Sequence, residues 1–367
     1  MQNAKGMIWI SVALALALAL TLAACTNRGL ATEDKPPIVP PSAPLKIEAN
    51  ISELSDRSCP DNARFTQPQS ISINSVALTN IDTEGAVLNE GVTLKGIWAL
   101  TSDEPNFGGL SGISQHRSGT LLSVSDAGAF VWIGLDDGAP DGHGAIAYMR
   151  DETGDVFDKK SAADAEGLAL TDSGIALVSF ERNARALAFD LEGCGGAARG
   201  ALIAKVPDRP AGLGKTIPEN EGPEALMIDP DGFLVGGLEA QAGDAAAIGK
   251  ISPSAVSFEK RIARPSGTKL VGLDALDDDV FALFRGYLPL FGNTIVVHAY
   301  ENGSTKPHEI ATLKRPFPVD NFEGITAARL PDGTVRLYII SDDNFSTKQR
   351  TLLMAFDLQP TPDTASP

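Results

Sequence analysis

The sequence predicts an all-β protein, a β-propeller of six blades, and three observations point that way. First, a short segment recurs five times: FGGLSGI from Phe107, DAEGLAL from Asp164, NEGPEAL from Asn220, VGLDAL from Val271 and NFEGITA from Asn321. Aligned on Gly109, Gly167, Gly222, Gly272 and Gly324, the copies lie 58, 55, 50 and 52 residues apart. Second, each copy opens the same strand–turn–strand pattern. Third, no comparably long amphipathic helix pattern interrupts the series. A recurring antiparallel unit of about fifty residues is the mark of a propeller blade, which cannot bury its own apolar faces without neighbours.

The elements follow in order. Each segment begins an apolar strand that ends in a tight turn: Arg117-Ser118-Gly119, Asp172-Ser173-Gly174, Pro230-Asp231-Gly232, Asp277-Asp278-Asp279 and Pro331-Asp332-Gly333. Gly and Asp tolerate the left-handed backbone such turns require. The returning strands, TLLSVSD, IALVSFE, FLVGGLE, VFALFRG and VRLYIISDD, are rich in apolar and β-branched residues and end in polar or charged ones. A sixth blade is expected from residues 70–100, including Gly96-Ile97-Trp98, joined to the terminal strand Leu352–Leu358. Pairing the two chain ends would close the ring and remove exposed edges. A β-sandwich is the rival architecture, but it leaves the recurrence unexplained.

The ends of the chain read differently. Lys5 precedes an unbroken apolar run from Met7 to Leu22, closing on Leu22-Ala23-Ala24-Cys25. This is the pattern of a cleaved signal peptide, and it resembles the bacterial lipobox, which implies lipidation of Cys25. An uncleaved membrane helix is the alternative. Residues 1–24 are thus expected to be a signal peptide and 25–60 a lipidated Cys with a Pro-rich tether. The propeller would span 61–358, with a polar tail over 359–367. Thr26 after the Cys suggests, by resemblance to sorting rules, a lipid-anchored protein of the cell envelope, on the outer membrane and facing the periplasm. With Cys25 lipidated, Cys59 and Cys194 remain, either as a disulfide or as two free thiols. The 30 basic and 47 acidic residues give a net charge of −17. Such a balance argues against nucleic acid or anionic lipid as a partner, leaves the membrane contact to the anchor at Cys25, and is compatible with divalent cations. Oligomeric state is not legible.

In a propeller the start of each inner strand and the end of the next strand share one face beside the central channel. Strand starts place Glu166, Glu221 and Glu323 there. Strand ends add Asp126, Glu181 with Arg182, Glu239, Arg285, and Asp342-Asp343-Asn344. Bare carboxylates so crowded repel one another. They would be protonated, paired with Arg182 and Arg285, or gathered around a hard divalent cation such as calcium, which takes six to eight oxygen ligands. With four histidines in the chain, His116, His143, His298 and His308, zinc is disfavoured. The alternative is that these acids accept loop hydrogen bonds and hold the ring together. Other motifs fail: AGLGKT from Ala211 has Arg209 where a phosphate loop needs Gly, and GLSGI around Ser111 lacks the second glycine of a nucleophile elbow. The acidic turn Asp136-Asp137-Gly138 with Asp141-Gly142 reads as solvated.

FGGLSGI with VSDAG, DAEGLAL with SFERN, ENEGPEAL, and DNFEGITA with ISDDNFS and QRTLLMAF resemble the bacterial phytase-like family, described as having esterase-like activity. The resemblance runs from about Phe107 to Phe356. It implies a propeller, export, and calcium-dependent hydrolysis of phosphate or carboxylic esters. It supports Glu166, Glu181, Arg182, Glu221, Glu224, Glu323, Asp342 and Asn344 as motif positions without assigning roles. The fourth repeat departs from the pattern, with Val271 before its glycine and Arg285 in place of a terminal acid. On this reading Asp126, Glu166, Glu181, Glu221, Glu239, Glu323, Asp342, Asp343 and Asn344 are candidate cation ligands. Glu221 or Glu323 would take a proton from water, and Arg182 and Arg285 would steady developing charge. A small ester or phosphoester would be the substrate. A non-catalytic binding propeller is the other reading.

Overall fold

The computed structural model describes residues 46–253 and 255–359. The expected signal peptide, the lipidated Cys25, the Pro-rich stretch to residue 45 and the tail beyond 359 lie outside the described residues. The body is built from antiparallel sheets, and its ring has five blades, not six. Blade one runs outward from Leu110–Gln115 through Leu121–Ser125, Ala129–Asp136 and Ala139–Tyr148. Blade two uses Ala165–Leu170, Ile175–Phe180, Arg185–Asp190 and Ala201–Lys205. Blade three uses Pro223–Ile228, Leu234–Ala242, Ala245–Ser252 and Lys260–Ala263. Blade four uses Lys269–Leu276, Asp279–Leu288, Gly292–Tyr300 and His308–Lys314. The predicted turns are where the inner two strands join, with Gly119, Gly174, Gly232, Gly333 and Asp277 all at positive φ.

The blade count is corrected by the last repeat. Asn321–Arg329, Val335–Asp342 and Thr351–Leu358 supply three strands of blade five. The fourth comes from the N-terminal side: Val92–Thr101 pairs antiparallel with Thr351–Leu358, Val92 facing Leu358. The strands assigned to a sixth blade therefore complete the fifth. The joining of both chain ends in one sheet is as expected; only the blade it forms is different. Three more short N-terminal strands cover outer edges: Gln69–Ser72 on blade one, Asn74–Ala77 on blade five and Ala86–Leu88 on blade four. Capping an edge in this way removes a template for unwanted strand pairing.

Residues 46–60, expected within the tether, belong instead to the body. Ile47 and, from a short helix Ile51–Ser58, Leu54 are buried beside blades two and three. Ile47, Ile51 and Leu54 have helical spacing, which places one apolar stripe on the core. Cys59, at the end of that helix, is bonded to Cys194 of blade two, with Cα atoms 5.6 Å apart. Closing a loop of 135 residues restricts the unfolded chain, an effect worth about 2–5 kcal/mol.

Among the described residues, buried apolar side chains form five clusters, each shared by two adjacent blades, so the core is a ring of interfaces. The inner strands also touch one another in a closed circuit, the last against the first. Such close approach explains the repeated glycine. A Cβ at Gly112 would lie 2.5 Å from the Glu166 carbonyl oxygen, at Gly167 2.9 Å from that of Glu224, and at Gly272 2.7 Å from that of Glu323. Gly324 meets the Ser111 carbonyl in the same way and closes the circuit between blades five and one. Gly324→Ala is therefore expected to cost at least about 3 kcal/mol, because two inner strands must separate. Denaturant titration checks this, and an unchanged midpoint would refute the closure.

Candidate active site at the channel mouth

Each inner strand carries one bulge at the same level. The pairing with its neighbour shifts around Ser111, Glu166, Glu224, Val271 and Glu323. A bulge leaves a residue outside the ladder and re-aims its side chain, and Glu224, Val271 and Glu323 line the central channel. The equivalent small residues are thus Gly112, Gly167, Ala225, Gly272 and Gly324. Gly109 and Gly222, aligned from sequence, stand three positions early. The channel beneath is nearly closed, about 10 Å³ and room for about one water. Any ligand larger than water is confined to the mouth above it.

Two carboxylate trios occupy that mouth, Asp164 with Glu166 and Glu181, and Glu181 with Glu224 and Glu239. In each trio one oxygen per residue lies within 4.8 Å of the others. Glu181 is common to both. Burial first, and then the charges of Glu323, Asp164 and Glu181, hold the Glu166 carboxyl well above the usual range. Glu224 is raised in the same way, by burial and then by Glu166, Glu239, Glu323 and Glu181. Burial lifts Glu181 to about 7 although a hydrogen bond with Glu224 opposes it.

Blade five supplies a second, hydrogen-bonded group. Asn321 Nδ2 donates to Glu323 Oε1 at 2.9 Å and to Asp342 Oδ2 at 3.3 Å, and Ser111 Oγ donates to Glu323 Oε2 at 3.3 Å. Burial, then the Glu323 charge, pushes Asp342 to about 8. Arg285 fills the gap left by Val271. Its guanidinium lies 3.2 Å from Glu323 and 3.8 Å from Glu239. Burial alone would weaken its charge, but Glu323, Glu224, Glu239 and Asp342 outweigh that and raise its pKa.

The predicted residues divide accordingly. Glu166, Glu181 and Glu239 are brought together in the trios, while Glu323, Asp342 and Arg285 form the adjoining group. Arg182 stands at the edge, its Nε 3.1 Å from Asp164. Asp126, 5 % exposed, lies outside the trios but is linked to them by Lys160, whose Nζ is 2.5 Å from one Asp126 oxygen and 3.8 Å from Asp164; the other oxygen, Oδ1, is buried without a partner. Three more of the predicted residues lie outside the trios. Glu221 belongs to neither trio: Lys269 Nζ holds it at 3.3 Å while also pairing with Glu239 at 2.8 Å. Asp343 is taken up by the structure, accepting from the Gly109 and Phe345 amides and from Thr351 Oγ1 at 2.9, 3.0 and 3.0 Å. Asn344 is exposed and serves through its backbone, whose amide donates to Asp342 Oδ1. Sequence reasoning missed Asp164, Lys160, Lys269, Ser111 and Asn321. For the trio member Glu224 a signal existed: Glu166-Gly167-Leu168, Glu224-Ala225-Leu226 and Glu323-Gly324-Ile325 all read acid, small, aliphatic.

The donor set fits a hard divalent cation. The trios offer only carboxylate oxygens, they are held together against their own repulsion, and Asp126 Oδ1 is a further buried acceptor with no donor.

A β-propeller with an acidic mouth at the bulge level is the class that fold and site define. Within it, residues 105–345 match the family described as "Phytase-like: Esterase-like activity of phytase", and the chain belongs to that family. No curated protein matches the chain. Among solved structures, it is similar to the PQQ-bound aldose sugar dehydrogenase of Streptomyces coelicolor, at 10% identity and TM-score 0.43 over 74% of this chain and 100% of that one. A gluconolactonase of Xanthomonas campestris shows 12% identity and TM-score 0.38, over 82% and 99%. The calcium structure of a Trichoderma reesei carbohydrate-active enzyme of family AA12 shows 9% and 0.40, over 82% and 100%.

Proposed function

We propose that this mouth is a cation-assisted hydrolase site for phosphate or carboxylic esters, with calcium as the cation. The observation that carries the reading is the pair of trios sharing Glu181, crowded enough to hold raised carboxyl pKa values. Asp164, Glu166, Glu181, Glu224 and Glu239 would hold the ion. When bound, it supplies Lewis-acid polarisation of the ester oxygen. Glu323, fixed by Asn321 and Ser111, takes the proton of the attacking water. Arg285, beside it, steadies negative charge on the reacting oxygen, and Arg182 does so from the rim. Glu221, paired with Lys269, orients that lysine and has no proton-transfer role. The family description supports ester chemistry, and the Cys59–Cys194 bond supports an oxidising compartment such as the periplasm, reached by the lipid anchor expected at Cys25.

Purified protein assayed on 4-nitrophenyl acetate and 4-nitrophenyl phosphate should turn over at least one of them with calcium, lose that activity in EDTA, and regain it on calcium addition. Activity indifferent to EDTA would remove the cation from the mechanism. No turnover with saturating calcium would leave a binding propeller.

A further inference from the structure

Two exposed aromatic side chains lie close in the chain to mouth residues, Tyr287 two positions after Arg285 and Phe345 three after Asp342. Tyr287 lies two residues beyond Arg285 on one strand, with Arg285 facing Ile295 and Tyr287 facing Asn293 in the ladder. Alternation places both side chains on the same face of the sheet, so Tyr287 stands above Arg285 as the strand rises past the mouth. It is 63% exposed and leads into a hairpin tip where Leu290 is 89% exposed. On blade five, Phe345 follows Asp342-Asp343-Asn344 and is 46% exposed. Its ring packs on Gly108 and Gly109, where a Cβ at Gly108 would come within 3.1 Å of it. Its backbone is left-handed, φ 49°, a conformation that costs energy for a bulky residue and that clusters at ligand sites. The Asp343 carboxylate fixes it there by accepting its amide.

Small-molecule sites are lined mainly by apolar and aromatic side chains around a few placed polar groups. We infer that the substrate carries an aromatic or other flat apolar group beside its ester, seated against Tyr287 and Phe345 while the ester lies by Glu323 and Arg285. This rests on the hydrolase reading above and names the substrate class of that site.

The test compares wild type with the Tyr287→Ser, Phe345→Ser double variant, measuring kcat and KM on phenyl and methyl phosphate and on phenyl and methyl acetate, with calcium. In parallel, calorimetry measures binding of phenylphosphonate and methylphosphonate. The phenyl-over-methyl ratio of kcat/KM should fall about tenfold in the variant, through KM, with the melting temperature unchanged. Equal ratios in both proteins would overturn the inference. If wild type turns over none of the four, the hydrolase reading fails by itself, and calorimetry decides the rest. A phenyl preference lost in the variant sustains the aromatic seat, and no preference in wild type refutes it.

Discussion

Replacing Glu181 by Gln is expected to weaken calcium binding about 100-fold or more, because that carboxylate is shared by both trios. In the absence of calcium the same change should raise the melting temperature by several degrees. The charge of Glu181 is opposed by burial and by its neighbours Asp164 and Glu239, and an amide removes that conflict. Opposite signs with and without the ion separate a ligand from a purely architectural acid. Were Glu181 merely tying blades together, the variant would be less stable under both conditions. Melting curves of both proteins, in EDTA and in calcium, give the four values needed.

The recurrence that announced the propeller was legible because its turns need Gly and Asp and its inner strands need a small residue where they meet. The blade count was not. Only the first two strands of each repeat share a pattern, and the fourth strand of the last blade, Val92–Thr101, lies far away in sequence from its partner Thr351–Leu358. The general position of the acids was legible from topology, since Glu166, Glu181, Glu239 and Glu323 do stand at one mouth. Their register was harder. Gly109 and Gly222 precede the true equivalents Gly112 and Ala225 by three residues, and that slip favoured Glu221 over Glu224 as a ligand. Pairing partners were hidden for another reason: Lys160 reaches Asp126 from the short helix Lys160–Ala163 before a strand, and nothing local in the sequence links the two. The helix Ile51–Ser58 was masked by the prolines before it, although Ile47, Ile51 and Leu54 already carried its spacing.

Calcium-free protein should gain stability on acidification from pH 8 to pH 5, on the order of 5 °C in melting temperature. Glu181 is raised to about 7 and Asp342 to about 8, with Glu166 and Glu224 raised well above their ordinary value. A carboxyl whose folded pKa exceeds its unfolded one binds more protons when folded. Its stabilising contribution is full below the unfolded pKa and is lost as pH rises through the folded one. The window therefore runs from about pH 4.5 to about pH 8, with the unfolded values at its lower edge. With calcium the slope should reverse, since the ion requires these groups ionised. A calcium-free protein that grows steadily more stable from pH 5 to pH 8 would mean that the mouth acids are well paired when ionised.

The cation is the centre of this account, and calorimetric titration of calcium into chelator-treated wild type and Glu181→Gln tests it most directly. Saturable binding to the wild-type protein, accompanied by proton release at pH 7 and largely lost in the variant, is the predicted result. No binding to the wild type, or equal binding to both proteins, would contradict it.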